Sequence, residues 1–245
     1  MSECLVFSLR KKTLRKHTRP YRYHGLKIFT SLKLRFQDFQ RMKKAIIYLH
    51  GFNSASLDLD DNLLTNKEKL LVMQAFCLQK DVLFYTPNVD YRDFEGMVED
   101  MLFQWNQYLD QGYDVVFMGS SMGGFASEYL AMKTGSKAIM INPAISPTEL
   151  LPEFIGVAAN YETGLPYSWS QENCEQYNEY EKELASSHQT IDRTIFLDMG
   201  DELLDSENTL SKYNEKANIV TYSGGSHSFE HIRQALPIID QVLFN

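Results

Sequence analysis

The sequence contains little cysteine and no long hydrophobic segment. Its three cysteines, Cys4, Cys77 and Cys174, are scattered along 245 residues and form no C-x-x-C pair. That pattern argues against a disulfide framework or a zinc knuckle and favours a reducing, cytoplasmic location. No apolar run approaches the roughly eighteen residues of a membrane span, so we expect none.

Basic residues are scarce in most of the chain. Eleven of the 24 Lys and Arg residues lie within residues 1–41, where Glu3 and Asp38 are the only acids. The acidic remainder argues against nucleic acid as a partner. We interpret residues 1–41 as a basic extension, disordered or a non-native start, and residues 42–245 as the folded domain. A transit peptide, a nucleic-acid-binding arm or docking to an anionic surface are the alternatives for the extension.

Short apolar segments alternate with helix-compatible segments from residue 45 onward. The predicted strands cover residues 45–49, 82–85, 114–118, 137–141, 194–199 and 218–222. The predicted helices cover 66–79, 94–109, 121–133 and a last segment from about 229. Continuous apolar strands predict an α/β fold, with a mostly parallel sheet covered by helices on both faces. Ligands of such sheets bind beyond the carboxyl ends of the strands.

One long interval, at about residues 147–192, breaks this alternation and is rich in Tyr and Glu. A segment of this length is typical of a lid or binding loop, so we predict a short cap insertion. Tyr161, Tyr167 and Trp169 are its candidate substrate-binding residues. Packing within the lid is the simpler alternative for each of them.

A glycine-rich corner follows the third predicted strand. Gly119-x-Ser121-x-Gly123 centres a serine between two glycines, whereas the neighbouring Ser120 has Met118 where a glycine is needed. A nucleophilic serine on a sharp strand-to-helix turn requires such small neighbours, because the two backbones approach closely. We therefore predict that Ser121 is the nucleophile; a purely structural glycine turn is the alternative.

A serine nucleophile needs a base, and His227 is the candidate. It follows the last predicted strand in the flexible sequence Ser223 to His227. The segment His227 to His231 also matches the H-x-x-E-H pattern of metallopeptidases. That chemistry needs both histidines on one helix and a third ligand. Here His227 precedes the expected helix and only Asp240 follows His231 as an acid, so we predict no metal.

The histidine in turn needs a carboxylate that orients it. Asp201 lies just beyond the fifth predicted strand and is our first candidate, with Asp205 second, although Asp205 could instead cap the next helix. The chain order Ser121, Asp201, His227 is that of the α/β-hydrolases.

Hydrolysis through a serine also needs two N–H groups that stabilise an oxyanion. The backbone amide of Met122, directly after Ser121, is one candidate. The other is the backbone amide of Phe52, in the loop after the first strand. We assign His50 in that loop an orienting role rather than that of a base.

Five segments together resemble the α/β-hydrolase superfamily and, more narrowly, the small bacterial YqiA/YcfP-like esterases. They are YLHGFNS (48–54), GSSMGG (119–124), NPA (142–144), GDELLD (200–205) and GGSH (224–227). The resemblance covers about residues 42 to 245. It implies a compact cytoplasmic serine esterase that needs no metal or cofactor, with Ser121, Asp201 and His227 as its triad. The extension has no counterpart in the family pattern. The insertion rich in Tyr and Glu also departs from it, so the family's substrate preference is not carried over to this chain.

We expect hydrolysis of a small-molecule carboxylic ester or acyl thioester, acyl-CoA being one candidate, through an acyl-enzyme on Ser121. A serine peptidase, another α/β-hydrolase activity or a non-catalytic binding module of this fold are the alternatives. The natural substrate, the acyl length and the oligomeric state do not follow from the sequence.

Overall fold

The protein contains one six-stranded parallel sheet. A computed structural model describes residues 42–157 and 159–245, so the predictions for residues 1–41 lie outside the described residues. The strands are β1 (Lys43–Leu49), β2 (Val82–Tyr85), β3 (Tyr113–Ser121), β4 (Lys137–Pro143), β5 (Arg193–Asp198) and β6 (Asn218–Tyr222). Their order across the sheet is β2-β1-β3-β4-β5-β6, and all neighbours are parallel. The predicted α/β fold class is confirmed.

Helices cover both faces of this sheet. They are α1 (Glu68–Lys80), α2 (Phe94–Asp110), α3 (Met122–Thr134), α4 (Pro147–Leu150), α5 (Gln171–Glu175), α6 (Tyr177–Ser186), α7 (Ser206–Tyr213) and α8 (Ile232–Phe244). Helices α1 and α8 pack on one face, and α2 and α3 pack on the other. None of the helices within residues 42–157 and 159–245 combines the length and the apolarity needed to cross a membrane.

The last helix begins three residues later than its periodicity predicts. Phe229 has a left-handed backbone, with φ of 63°. Its amide donates to the carbonyl of Ser226 at 2.9 Å, which closes a turn before the helix. The buried Phe229 side chain therefore belongs to the loop, and α8 starts at Ile232.

The central strands are buried on both sides, which explains their continuous apolar sequence. Ala45 to Leu49 of β1 are almost inaccessible, as are Val115 to Met118 of β3. The chain runs from β1 to β2 at one edge and then crosses back to β3. A crevice therefore opens between the carboxyl ends of β1 and β3, where ligands of such sheets bind.

The interval at about 147–192 packs on the α2–α3 face of the sheet. It contains a 3₁₀ turn, Leu151–Phe154, besides three short helices. Tyr177 is buried and donates its hydroxyl to the carbonyl of Tyr91 at 2.8 Å. Gln176 accepts from the amide of Phe94, which starts α2, at 3.0 Å. Its role as a cap over a ligand stays a prediction.

A buried ion pair between Glu128 and Arg193 links α3 to the sheet. The carboxylate of Glu128, 2 % exposed, accepts from Nε of Arg193 at 2.5 Å and from the hydroxyl of Tyr213 at 2.6 Å. Arg193 begins β5 and Tyr213 ends α7. One carboxylate thus joins α3, which begins at the Ser121 corner, to β5 and α7.

We expect Glu128→Gln to lower the free energy of unfolding by about 3 kcal/mol, because it leaves a partly buried guanidinium without its counter-charge. Urea denaturation measures this. The matched control is Glu68→Gln, which breaks the exposed pair between Glu68 and Arg233 and should cost less than about 1 kcal/mol. Equal losses in the two variants would contradict the assignment of the buried pair as the stronger one.

Candidate active site

Ser121 occupies a strained corner between β3 and α3. Its backbone has φ of 55° and ψ of −122°, a conformation that residues other than glycine rarely adopt. The register between β3 and β4 shifts between Ser120 and Ser121. Strand β3 therefore ends abruptly, and the helix begins with the next residue. Ser121 remains partly exposed, whereas Ser120 is 7 % exposed.

Glycines make this corner possible because the backbones around it nearly touch. A Cβ atom on Gly123 would lie 2.0 Å from the carbonyl oxygen of Leu49 in β1. A Cβ atom on Gly119 would lie 2.1 Å from the carbonyl oxygen of Gly123. Gly51 also contacts the corner, since its Cβ would lie 3.3 Å from the Cβ of Ser121. The glycines flanking Ser121 thus have the steric reason that the sequence motif predicts.

His227 and Asp201 form a hydrogen-bonded pair. The Nδ1 atom of His227 lies 2.8 Å from Oδ2 and 3.1 Å from Oδ1 of Asp201. The Asp201 side chain is 1 % exposed and that of His227 is 20 % exposed. With Nδ1 bonded to the carboxylate, Nε2 is the ring nitrogen left for proton exchange.

The pair stabilises the charged form of Asp201. Burial raises the pKa of this carboxyl group, but the hydrogen bond and charge of His227 outweigh burial, helped by the amides of Leu203 and Leu204. The net result is a pKa below the ordinary value. Both amides donate to Oδ1 at 2.9 Å. Asp201 is therefore held as a carboxylate beside the imidazole.

The second candidate acid, Asp205, does not contact His227. Its Oδ1 accepts from the amide of Asn208 at 3.1 Å and caps α7. This is the capping role that the sequence offers as its alternative.

A second carboxylate–histidine pair lies beneath the His227 loop. Asp198, at the end of β5, is fully buried and lies 2.7 Å from Nδ1 of His231. Its carboxylate also accepts from the amides of Ser226 at 3.3 Å and Glu230 at 2.7 Å. Asp198 therefore fixes both ends of the segment that contains His227. Sequence reasoning missed this role, although a charged residue inside a buried strand was a usable signal.

The end of β4 contacts both the serine corner and the histidine loop. The side-chain amide of Asn142 donates to the carbonyls of Ser226 at 3.0 Å and His227 at 3.3 Å. Two residues further on, the amide of Ala144 donates to the carbonyl of Ser121 at 3.0 Å. This segment brings the loops of Ser121 and His227 to the same edge of the sheet.

The two histidines of the H-x-x-E-H pattern have separate carboxylate partners. His227 and His231 each bond a different carboxylate through Nδ1, and helix α8 begins only after His231. Among the residues that the structure describes, no three His, Cys, Asp or Glu side chains are grouped to hold a metal ion.

The two candidate oxyanion donors lie on either side of the crevice. Met122 is the first residue of α3, where backbone amides have no partner within the helix. Phe52 lies in the loop after β1, next to Gly51, which contacts Ser121. Their role as oxyanion donors stays a prediction.

Two of the three predicted substrate-binding aromatics support the Phe52 loop. The ring of Phe52 packs against those of Tyr167 and Trp169, with centroids 5.9 and 4.6 Å apart. Tyr167 is 7 % exposed and Trp169 is 2 % exposed, whereas Tyr161 is 63 % exposed. Their observed contacts are packing contacts, and their contact with substrate stays a prediction.

His50 is a neutral, buried residue that shapes the loop. Its Nδ1 donates to the carbonyl of Gly51 at 2.8 Å, and its Nε2 accepts from the amide of Val89 at 2.9 Å. Burial lowers the pKa of His50 from its ordinary value of 6.5 to about 4. Because both ring nitrogens are occupied, His50 is an orienting residue rather than a base.

The fold and the serine corner together define an α/β-hydrolase fold. The solved structures support this: Est1E from Butyrivibrio proteoclasticus superposes with a TM-score of 0.59 at 16% identity, covering 84% of this chain and 88% of that chain. A putative hydrolase from Agrobacterium vitis S4 gives a TM-score of 0.61 at 17% identity, covering 83% and 89%. These likenesses show the fold that the sequence motifs indicate.

The chain belongs to the uncharacterised protein family UPF0227, whose family model matches residues 45–243. A UPF0227 protein of Vibrio parahaemolyticus is 26% identical over 195 residues, which is 78% of this chain and 94% of the relative. A UPF0227 protein of Vibrio atlanticus is 24% identical over 198 residues, with the same coverage.

The buried His50 should make folding pH-dependent. Its pKa is about 4 in the folded chain and about 6.5 when unfolded, so the unfolded state binds the extra proton between these values. Stability is then complete above about pH 6.5 and falls by about 1.4 kcal/mol per pH unit down to about pH 4. Urea denaturation across this range should show a shallower pH slope for His50→Gln than for wild type.

The matched control for this experiment is His188→Gln, which removes an exposed imidazole. It should keep the wild-type slope. If His50→Gln also keeps that slope, the assignment of His50 as a buried neutral group is wrong.

Proposed function

We propose that the protein is a serine hydrolase that cleaves carboxylic esters or acyl thioesters through an acyl-enzyme on Ser121. The observation that carries the proposal is the strained backbone of Ser121, with φ of 55°, at the corner between β3 and α3. Such strain persists only where the surrounding structure over-determines it, and it is concentrated at functional sites. The Asp201–His227 pair, which follows the ends of β5 and β6, adds a base of the required kind.

In the first half of the reaction, Nε2 of His227 accepts the hydroxyl proton of Ser121 while Oγ attacks the carbonyl carbon. Asp201 stabilises the resulting imidazolium through the bond to Nδ1, which measures 2.8 Å. The amides of Met122 and Phe52 donate to the oxyanion of the tetrahedral intermediate. Collapse breaks the bond to the leaving alcohol or thiol, which takes the proton from His227.

In the second half, His227 accepts a proton from water, and the hydroxide attacks the acyl-enzyme. The tetrahedral intermediate again places its negative oxygen between the two amides. Its collapse returns the proton to Ser121 and releases the carboxylic acid. The net change is ester plus water to acid plus alcohol, with no redox step.

A fluorophosphonate probe tests whether Ser121 is activated. Labelling of the purified protein, mapped by peptide mass spectrometry, should fall on Ser121 and disappear in Ser121→Ala. The adjacent Ser120→Ala variant should still be labelled, because Ser120 lies in regular extended strand and is 7 % exposed. Absence of labelling in a folded wild-type protein would contradict the proposal and favour a non-catalytic binding module.

Substitution of the two candidate acids tests the base. Asp201→Asn should lower kcat for a 4-nitrophenyl ester by about 10³- to 10⁴-fold, because the amide cannot stabilise the imidazolium and favours the wrong tautomer. Asp205→Asn is the matched control: Asn caps a helix about as well as Asp, so kcat should be unchanged. Equal effects in both variants would remove Asp201 from the triad.

A further inference from the structure

A pocket of about 310 Å³ adjoins the proposed catalytic centre on the α1 side of the sheet. Three of its lining residues are chain neighbours of the proposed machinery: Gly51 precedes Phe52, Ser120 precedes Ser121, and Ser228 follows His227. The loop of Phe52, the end of β3 and the loop of His227 thus all contribute to the lining of this pocket. The buried aromatics of the 147–192 interval do not line it.

Lys69 lies in this pocket with two neutral partners. Its Nζ donates to Oγ of Ser120 at 2.6 Å and to the carbonyl of Ser228 at 3.1 Å. Among the described residues, no carboxylate forms a salt bridge with it. The neighbouring Lys67, by contrast, is paired with Glu162. A partly buried ammonium without a counter-charge is uncommon, because desolvation disfavours it.

The cluster around Lys69 has a surplus of hydrogen-bond donors. Ser120 accepts from Lys69 and from the hydroxyl of Tyr48 at 3.1 Å, so both acceptor positions of its oxygen are used and its own O–H remains to donate. An ammonium has three N–H bonds, of which Lys69 uses two. The groups that remain are one N–H and one O–H, and both require an acceptor.

We propose that this pocket binds a carboxylate carried by the substrate, so that the protein acts on carboxylate-bearing esters or thioesters. The inference rests on the proposed hydrolase function. Lys69 supplies the charge and Ser120 a second donor, which matches the acceptor-only character of a carboxylate. The apolar lining residues Ala55, Leu70 and Ile232 suit the hydrocarbon part.

The carboxylates near the pocket do not pair with Lys69, so its ammonium is available to a bound anion. Glu68 is exposed and paired with Arg233, and Glu230 is exposed at the rim. Burial lowers the pKa of Lys69 to about 7, with a contribution from Lys67, while the charges of Asp198 and Asp201 oppose this shift. A bound carboxylate restores a counter-charge and favours the ammonium form.

The experiment compares mono-4-nitrophenyl adipate with the neutral 4-nitrophenyl heptanoate, an ester of similar length. Rates are corrected with Ser121→Ala, and the readout is the ratio of the two kcat/KM values. We expect wild type to favour the anionic ester, and Lys69→Met to lower the ratio by about tenfold or more, mainly through KM, since charge-assisted hydrogen bonds are strong. Lys69→Arg, which keeps the charge, should retain part of the preference.

The matched control is Lys80→Met, which removes one positive charge at a site outside the pocket, paired with Asp240. It should leave the ratio at the wild-type value. In wild type the ratio should also fall as the pH rises through about 7, where the free Lys69 loses its proton. In Lys69→Met it should stay constant, because the ratio cancels every pH effect on catalysis that the two esters share.

A second pair of substrates distinguishes the two ends of the ester. 4-Carboxyphenyl butyrate carries its carboxylate on the leaving group, and phenyl butyrate is its neutral partner. Dependence on Lys69 in the adipate pair alone assigns the pocket to the acyl group, and dependence in this second pair alone assigns it to the alcohol. An unchanged ratio in Lys69→Met for both pairs, with hydrolysis intact, overturns the inference.

Binding without turnover separates this inference from the proposed function. Adipate is titrated calorimetrically into Ser121→Ala and into the double variant Ser121→Ala with Lys69→Met. Binding that is lost in the double variant supports the pocket even if no ester is hydrolysed. If neither protein binds adipate and both remain folded by thermal melting, the inference is overturned, whatever the labelling of Ser121 shows.

Discussion

The close approach of helix α3 to the end of strand β1 is the constraint on which the site depends. At Gly123 a Cβ atom would lie 2.0 Å from the carbonyl of Leu49, so no other residue type fits without backbone movement. The helix must therefore leave β3 within one residue, which forces Ser121 into its strained conformation. The same approach sets the first-turn amides of α3 beside the loop after β1. One steric contact thus positions the proposed nucleophile and both proposed oxyanion donors.

The histidine loop depends on polar groups in addition to close backbone packing, since a Cβ on Gly200 would lie 2.6 Å from the carbonyl oxygen of Gly225. Its glycines, Gly224 and Gly225, both have φ of 74°, and a Cβ on Gly225 would lie 2.0 Å from Oδ2 of Asp198. Asn142 bonds the loop from one side and also accepts from the amide of Asp198 at 2.9 Å. Asp198 is therefore a positioning residue. Its carboxylate accepts from the amides of Ser226 and Glu230, on both sides of His227, where the chain forms no helix or strand. The same carboxylate also bonds Nδ1 of His231, so three contacts constrain its position.

The central strands were predictable because they are buried on both faces, and burial leaves a continuous apolar run in the sequence. Ser121 and Gly123 could also be located, since local steric demands act between neighbours in the chain. Contacts between distant residues leave no such trace. The pair of Asp198 with His231 joins residues 33 apart, and Lys69 meets Ser120 across 51 residues. Phe229 shows that apolar periodicity alone does not locate the start of a helix. Its position continues the apolar pattern of α8, but its left-handed backbone makes it part of the preceding loop.

The aromatic residues of the 147–192 interval and the pocket that contains Lys69 lie on different sides of the proposed site. The aromatic residues support the loop after β1, whereas the pocket offers a place for substrate. Tyr167 and Trp169 pack behind Phe52, while the side chain of Asn53 donates to the carbonyl of Ala159 at 3.0 Å. These contacts make the loop after β1 rigid, which an oxyanion site requires because its donors must be oriented before charge develops. The pocket of about 310 Å³ lies on the α1 side, beside Lys69, and none of these aromatics lines it. Selectivity among substrates should therefore depend on charge in that pocket, whereas the aromatics should govern the rate common to all substrates.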